Sequence, residues 1–218
     1  MVMNNRTDSE EIMRKRKEAK KGEEQELYTM ENDIQNGFIV VKYKKFDVEE
    51  KEIMDGSLSM IMPTDFELMD EELAEIKYPG EDRPDYIYSG EDTTVNLTFT
   101  MEESGQIDND EVEEAKNILE KQIGRLYPSS KIEDSQTIQA GEKNISFFGF
   151  DVPLLDGKVY NLMFFMEYRG SLLMGAFNCS IHQKKQWKKV IFQMLMTIRE
   201  KSQPVEPVKE KELGEESR

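Results

Sequence analysis

Between Phe147 and Ile198 the hydrophobic period changes once, from that of strands to that of a helix, and this change constrains the fold more than any other feature of the chain. Phe147 to Leu155 and Val159 to Tyr168 are apolar runs that meet across Asp156-Gly157, a pair that accepts the positive φ angles of a type I′ hairpin turn. Arg169-Gly170 separates the second run from a third, Leu172 to Cys179. In the second run Tyr160, Leu162, Phe164, Met166 and Tyr168 share one face, and Val159, Asn161, Met163, Phe165 and Glu167 share the other. Both sets are largely apolar, which predicts a central strand covered on both faces. After Ser180, the residues Trp187, Val190, Ile191, Met194, Leu195 and Ile198 fall on one helical stripe. A helix over Gln183 to Glu200 is therefore predicted to pack on the sheet, its six apolar side chains stabilising by roughly 1.5 to 3 kcal/mol each when buried.

Upstream, Phe38 to Phe46 has the β-branched and aromatic content of a strand, and Leu58 to Met62 alternates before stopping at Pro63; the two are expected to pair. Asp70 to Lys77, acidic in its first turn and carrying Leu73 and Ile76, predicts a brief helix. A polar loop over Gly80 to Asp85, containing Arg83, leads into a hairpin of Asp85 to Tyr88 with Thr93 to Thr100, only one face of which reads as fully buried. A second long helix runs from Asp110 to Leu126, with Val112, Ala115, Leu119, Ile123 and Leu126 on its stripe and Asp108, Asn109 or Asp110 as its cap. Lys131 to Gln139 reads as a polar edge strand. Residues 1–35 and 201–218 lack a burial face and are expected to be disordered, leaving one α+β domain over 36–200 in which helices pack on a twisted antiparallel sheet.

Charge narrows the function classes. With 45 acidic against 29 basic residues the 218-residue chain carries a formal charge of -16, which repels phosphate backbones and anionic membranes, so no nucleic-acid partner is expected. No run approaches the ~20 apolar residues of a membrane span, and the N-terminus lacks the apolar core of a signal peptide, so a cytoplasmic protein is expected. The single cysteine excludes an internal disulfide and a thiolate metal cage.

The strand ending Met60-Ile61-Met62-Pro63-Thr64-Asp65-Phe66 and the final strand running into the Trp187 helix sit in an order of elements that resembles the PsbP-like fold. That fold groups a photosystem II extrinsic protein, a Ran-binding nucleotide-release factor, DcrB-like bacterial proteins and the Eag-type secretion chaperones. The resemblance covers roughly residues 38–200 and carries no functional residue to any position. It implies a non-enzymatic protein-binding module, an adaptor or chaperone for a secreted or membrane-inserting protein. A concave apolar sheet surface lined by Met, Phe or Tyr would suit such a client. The alternative is a homo-oligomeric assembly subunit, such as a homodimer, that buries the same patch.

Catalytic readings are weaker. Cys179 precedes a helix start and has His182, the only histidine, close in sequence, which raises a thiol-dependent hydrolase as a second alternative. Strand alternation instead groups Cys179 with Leu173, Gly175 and Phe177 as a small buried hydrophobe, and Ser180 with Gln183 has the spacing of a capping box. Asp108, Asp110 and Glu111 lack the glycine and distal glutamate of a calcium loop and suit the positive end of a helix. Lys184, Lys185, Lys188 and Lys189 read as a solvated helix face, and Arg83 with Tyr86 and Tyr88 as an exposed cationic and aromatic cluster. Methionines at 60, 62, 163, 166, 174, 194 and 196 fill irregular core gaps or form an adaptable binding surface. No catalytic, cofactor or metal residue is assigned, and no enzymatic activity is expected.

Overall fold

The computed structural model describes residues 13–18, 32–42, 44–91, 93–102, 105–154 and 157–201. Most of the two expected disordered segments lies outside these residues, as does Asp156 of the hairpin turn. Among the described residues all strand pairs are antiparallel and fall into two sheets. The smaller has the order β1 (Phe38–Val41), β2 (Lys44–Ile53), β3 (Leu58–Pro63) and β11 (Arg199–Glu200). The larger runs β4 (Glu67–Leu68), β5 (Tyr86–Ser89), β6 (Asn96–Glu102), β10 (Ser171–Ser180), β9 (Gly157–Tyr168), β8 (Lys143–Leu154) and β7 (Glu133–Ala140). The fold is α+β, and helices pack on a twisted antiparallel sheet as the hydrophobic periods require.

The predicted central strand is β9. Its Tyr160, Leu162, Phe164, Met166 and Tyr168 face a core shared with the smaller sheet, while Phe165 and Met163 face a second cluster with Val112, Leu119 and Ile123. Helix α3 (Lys184–Leu195) lies between the sheets, against β1 and β3 on one side and β10 on the other. Trp187, Val190, Ile191, Met194, Leu195 and Ile198 are all buried there. Helix α2 (Val112–Leu126) covers the opposite face of the larger sheet over β8 and β9. It begins with a capping box in which Glu111 Oε2 accepts from the Asp108 N–H at 2.9 Å. Helix α1 (Glu71–Lys77) is capped by Asp70, whose Oδ1 accepts from the Leu73 N–H at 2.9 Å.

Several expectations need correction. Phe38 to Phe46 is not one strand: Lys42 takes a left-handed conformation (φ 48°), the chain turns, and β2 rather than β1 pairs with β3. The polar run Asp47 to Glu52 belongs to β2 because one face of the smaller sheet is solvated. Helix α3 stops at Leu195, not Glu200, since Thr197 Oγ1 donates to the Met194 carbonyl at 2.7 Å and accepts from the Ile61 N–H at 2.9 Å, turning the chain into β11. Leu126 and Ile76 are exposed, and Ala74 anchors α1 in place of Ile76. On β6 both faces are covered: Asn96 and Thr98 are buried, Lys77 Nζ donates to Asn96 Oδ1 at 3.0 Å, and Asn96 Nδ2 donates to Asn178 Oδ1 at 2.8 Å. The ordered domain starts before residue 36, because Ile34 is buried and Asn32 exchanges two hydrogen bonds with Val40, closing the open edge of β1 as a strand would.

Candidate functional site

Where β1 turns into β2, the larger sheet's β5 to β6 loop and the first turn of α3 come together and leave a cleft of about 370 Å³. Each wall has a local cause. After Pro63 the chain turns tightly, the Phe66 N–H donating to the Pro63 carbonyl at 3.0 Å, which places Asp65 on the rim and buries Phe66. Gly90 packs against this wall, where a Cβ would sit 3.3 Å from the Phe66 ring and 3.8 Å from Asp65 Oδ2. Lys42 and Lys44 flank the turn between β1 and β2; the Lys42 N–H donates to Gln186 Oε1 at 3.2 Å, and the Lys44 ammonium lies 4.7 Å from the Phe46 ring centre. Trp187 is packed among Phe46, Phe66 and Phe177 at centroid distances of 6.0, 5.8 and 5.7 Å.

Two residues of the lining carry a buried polar atom. Trp187 is 1% exposed, and its indole Nε1–H is buried with no acceptor; Asp65 Oδ1 is buried with no donor. Leaving a buried donor or acceptor unpaired costs about 1 to 3 kcal/mol. Both residues line the same cleft, which otherwise presents Val41, Phe46, Phe66 and Val95. Two lysines, Lys42 and Lys44, face two acids, Asp65 and Glu91, so the lining is charge-balanced although the chain as a whole is strongly acidic. A shallower groove shares Asp65, Gly90 and Glu91 with the cleft and reaches Leu73 and the exposed Leu68.

The residues singled out in the sequence lie elsewhere. Cys179 is fully buried, and burial pushes its thiol up to about 12 despite the opposing charge of Lys184; His182 is exposed, and no hydrogen bond joins the two. An activated thiolate needs the reverse, a depressed pKa in an accessible electropositive setting. Ser180 does not cap α3: its Oγ bonds the Gln183 side chain at 3.2 Å, and Gln183, already in helical conformation, occupies the cap position. Lys184 and Lys188 are not a free solvated face. Lys184 pairs with Asp151 at 2.9 Å and with Glu133, and Lys188 pairs with Asp134 at 2.5 Å, fastening α3 to β7 and β8. Lys185 and Lys189 are exposed.

Asp108, Asp110 and Glu111 form the start of α2, and among the described residues no cluster of His, Cys, Asp or Glu could hold a metal ion. Arg83 lies 3.9 Å from Glu75, whereas Tyr86 donates to Asp55 Oδ2 at 2.5 Å and Tyr88 accepts from the Met54 N–H at 3.1 Å, so each has its own partner. Met60, Met62, Met166 and Met194 are buried, Met163 and Met174 pack half-buried beneath α2, and Met196 is exposed. The open apolar sheet face expected of a chaperone is filled over the central strands by α2 and α3. Lys42, Gly90 and Glu91 carry no motif at the level of sequence; the phrase ending Pro63-Thr64-Asp65-Phe66 is the local signal that lies at the cleft.

No helix among the described residues is long and apolar enough to cross a membrane. No protein-family model and no curated protein matches this chain. Among solved structures it is similar to cyanobacterial PsbP (CyanoP) from Synechocystis, with 11% identity over 71% of this chain and 92% of that one, at a TM-score of 0.49. It is also similar to a protein from Bacteroides thetaiotaomicron, with 9% identity, 71% of this chain and 49% of that one, at a TM-score of 0.47; this chain thus spans about half of that protein. A protein of unknown function from Pseudomonas aeruginosa matches at 7% identity over 71% of this chain and 98% of that one, at a TM-score of 0.39.

Proposed function

We propose that this chain is a non-enzymatic, cytoplasmic protein-binding module, an adaptor or chaperone for a secreted or membrane-inserting protein, and that the Trp187 cleft is where it holds its partner. One observation carries the reading: a cleft of about 370 Å³ between the two sheets and α3, walled by Val41, Phe46, Phe66, Val95 and Trp187 and carrying charged side chains of both signs. A concave, mostly apolar surface with a few polar groups is the usual form of a binding site. The thiol-hydrolase alternative loses support because Cys179 is buried and its thiol held neutral.

The test is site-specific photo-cross-linking in the native cell from a cross-linker at Glu91, on the rim. The expected result is one recurrent protein partner, lost when Lys44→Glu inverts an exposed charge on the cleft lining. Only self-contacts would favour the assembly-subunit reading, and a partner indifferent to Lys44→Glu would move the binding site off the cleft.

A further inference from the structure

We infer that β7 is an assembly edge: two copies of the chain pair antiparallel along Gln136 to Ala140, about a two-fold axis at Ile138, and join their larger sheets into one. The inference is independent of the Trp187 cleft and of what that cleft holds. It starts from the sheet edges, which proteins protect by shortness, cover, charge or a bulge. β4 and β11 are two residues long, and β1 has its edge closed by Asn32. β7 is eight residues long, and among the described residues β8 is its one strand neighbour. Its bulge and its acids lie together at the first end, before Gln136, and from there to Ala140 no residue is charged.

The backbone fixes which groups are open. Along an antiparallel pair, residues alternate between those that exchange hydrogen bonds with the partner strand and those that turn away from it. Asn144, opposite Gln139, gives its N–H to Asn109 Oδ1 at 2.8 Å, so Gln139 and Asn144 form a pair that turns away. The N–H and C=O of Gln139, and by alternation those of Thr137, therefore face the open edge, and among the described residues no other element bonds them. A two-fold at Ile138 sets Thr137 of each copy opposite Gln139 of the other, where each pair exchanges both hydrogen bonds. It also sets Ile138 against Ile138, in the kind of pair whose side chains approach most closely.

The side chains make a second copy the fitting occupant. Ile138 ends a cross-strand row that runs through Ile145, Met166, Leu173 and Met101 on the core face of the larger sheet. Ile145, Met166 and Leu173 are fully buried, whereas Ile138 is half-buried, where the sheet stops. The copy's Ile138 continues that row, and no like charges come opposite one another between Gln136 and Ala140. The charge of -16 on each copy opposes their approach, so the pairing strengthens as salt screens it.

Sedimentation equilibrium of the full chain at about 1 mM in about 0.5 M salt should show the mass rising from 25.5 kDa towards twice that value, and less so at low salt. Gln139→Pro removes an outward N–H that β8 does not use, and proline is accepted at such edge positions. That variant should keep its circular dichroism spectrum and stay at 25.5 kDa. Disulfide trapping tests the register. Ile138→Cys with oxidised glutathione should give a covalent dimer, because the two Cα atoms face each other within disulfide reach. Gln136→Cys should not, because the register places Ala140 of the copy opposite it; Cys179 is buried and stays out of the exchange.

The inference is overturned if the chain stays at 25.5 kDa under these conditions, which would leave β7 to an extended segment of a different protein. It is equally overturned if Gln139→Pro associates like the wild type, or if Gln136→Cys is trapped as readily as Ile138→Cys. Should Gln139→Pro lose its fold, the two cysteine variants decide alone.

Discussion

Trp187 holds α3 to both sheets, because its ring meets Phe46 of the smaller sheet and Phe177 of the larger one. Trp187→Ala should destabilise the protein by about 3 to 5 kcal/mol in urea unfolding, and a loss under about 1 kcal/mol would contradict its place in the core. Cys179 offers a titration. Burial raises its thiol from 9.0 to about 12, so the folded state favours the neutral form. That contribution is complete below the ordinary thiol value and is lost as pH rises from about 9 towards about 12. Tyr160, also raised by burial, adds in the same direction above its ordinary value of 10.0. The urea midpoint should therefore fall across this alkaline window, less steeply in Cys179→Ala, and iodoacetamide should label Cys179 only on unfolding. Burial of Cys179 was legible from its alternation with Leu173 and Phe177, because a strand's period of two records which face is dry. The unpaired Trp187 N–H was not legible, since no local pattern states where an acceptor is missing.

At the level of elements, capping and inter-sheet ion pairs do the joining. Asp108→Ala opens the capping box at the start of α2 and should cost about 1 kcal/mol, read as a lower unfolding midpoint. Lys143 at the start of β8 pairs with Glu167 of β9 and, at 2.9 Å, with Glu200 of β11, so one side chain ties the two sheets together. Burial works against the Glu167 charge, but Lys143 and the Gly170 N–H outweigh it and hold the carboxyl below its ordinary value. A depressed carboxyl stabilises above the ordinary value of 4.5 and loses that contribution as pH falls through the folded value. Lys143→Met should therefore flatten the acid side of the stability profile, measured as the urea midpoint below about pH 5. An unchanged acid limb would show that the pair contributes nothing.

For the whole molecule, the two sheets and α3 share one core that runs from Ile34 to Ile198. A chain ending at Thr197 loses buried Ile198 and β11, whereas one ending at Lys201 keeps both. The shorter chain should be less stable by about 2 to 5 kcal/mol and should unfold in a single transition, since the main core joins both sheets through α3. Equal midpoints for the two chains would mean that β11 closes nothing.

The sequence by itself determined the double-sided strand β9, the stripes of α2 and α3, and the antiparallel meander, because a side chain's burial repeats along each element with that element's own period. It misjudged the β1 to β2 region: the turn depends on one left-handed residue, Lys42, and the polar face of β2 hides its alternation. Only the tertiary structure decided that the strands divide into two sheets with α3 between them. The cleft follows from that division. Lys42, Asp65, Gly90 and Trp187 are far apart in the chain, and they meet because α3 lodges its first turn where the two sheets part.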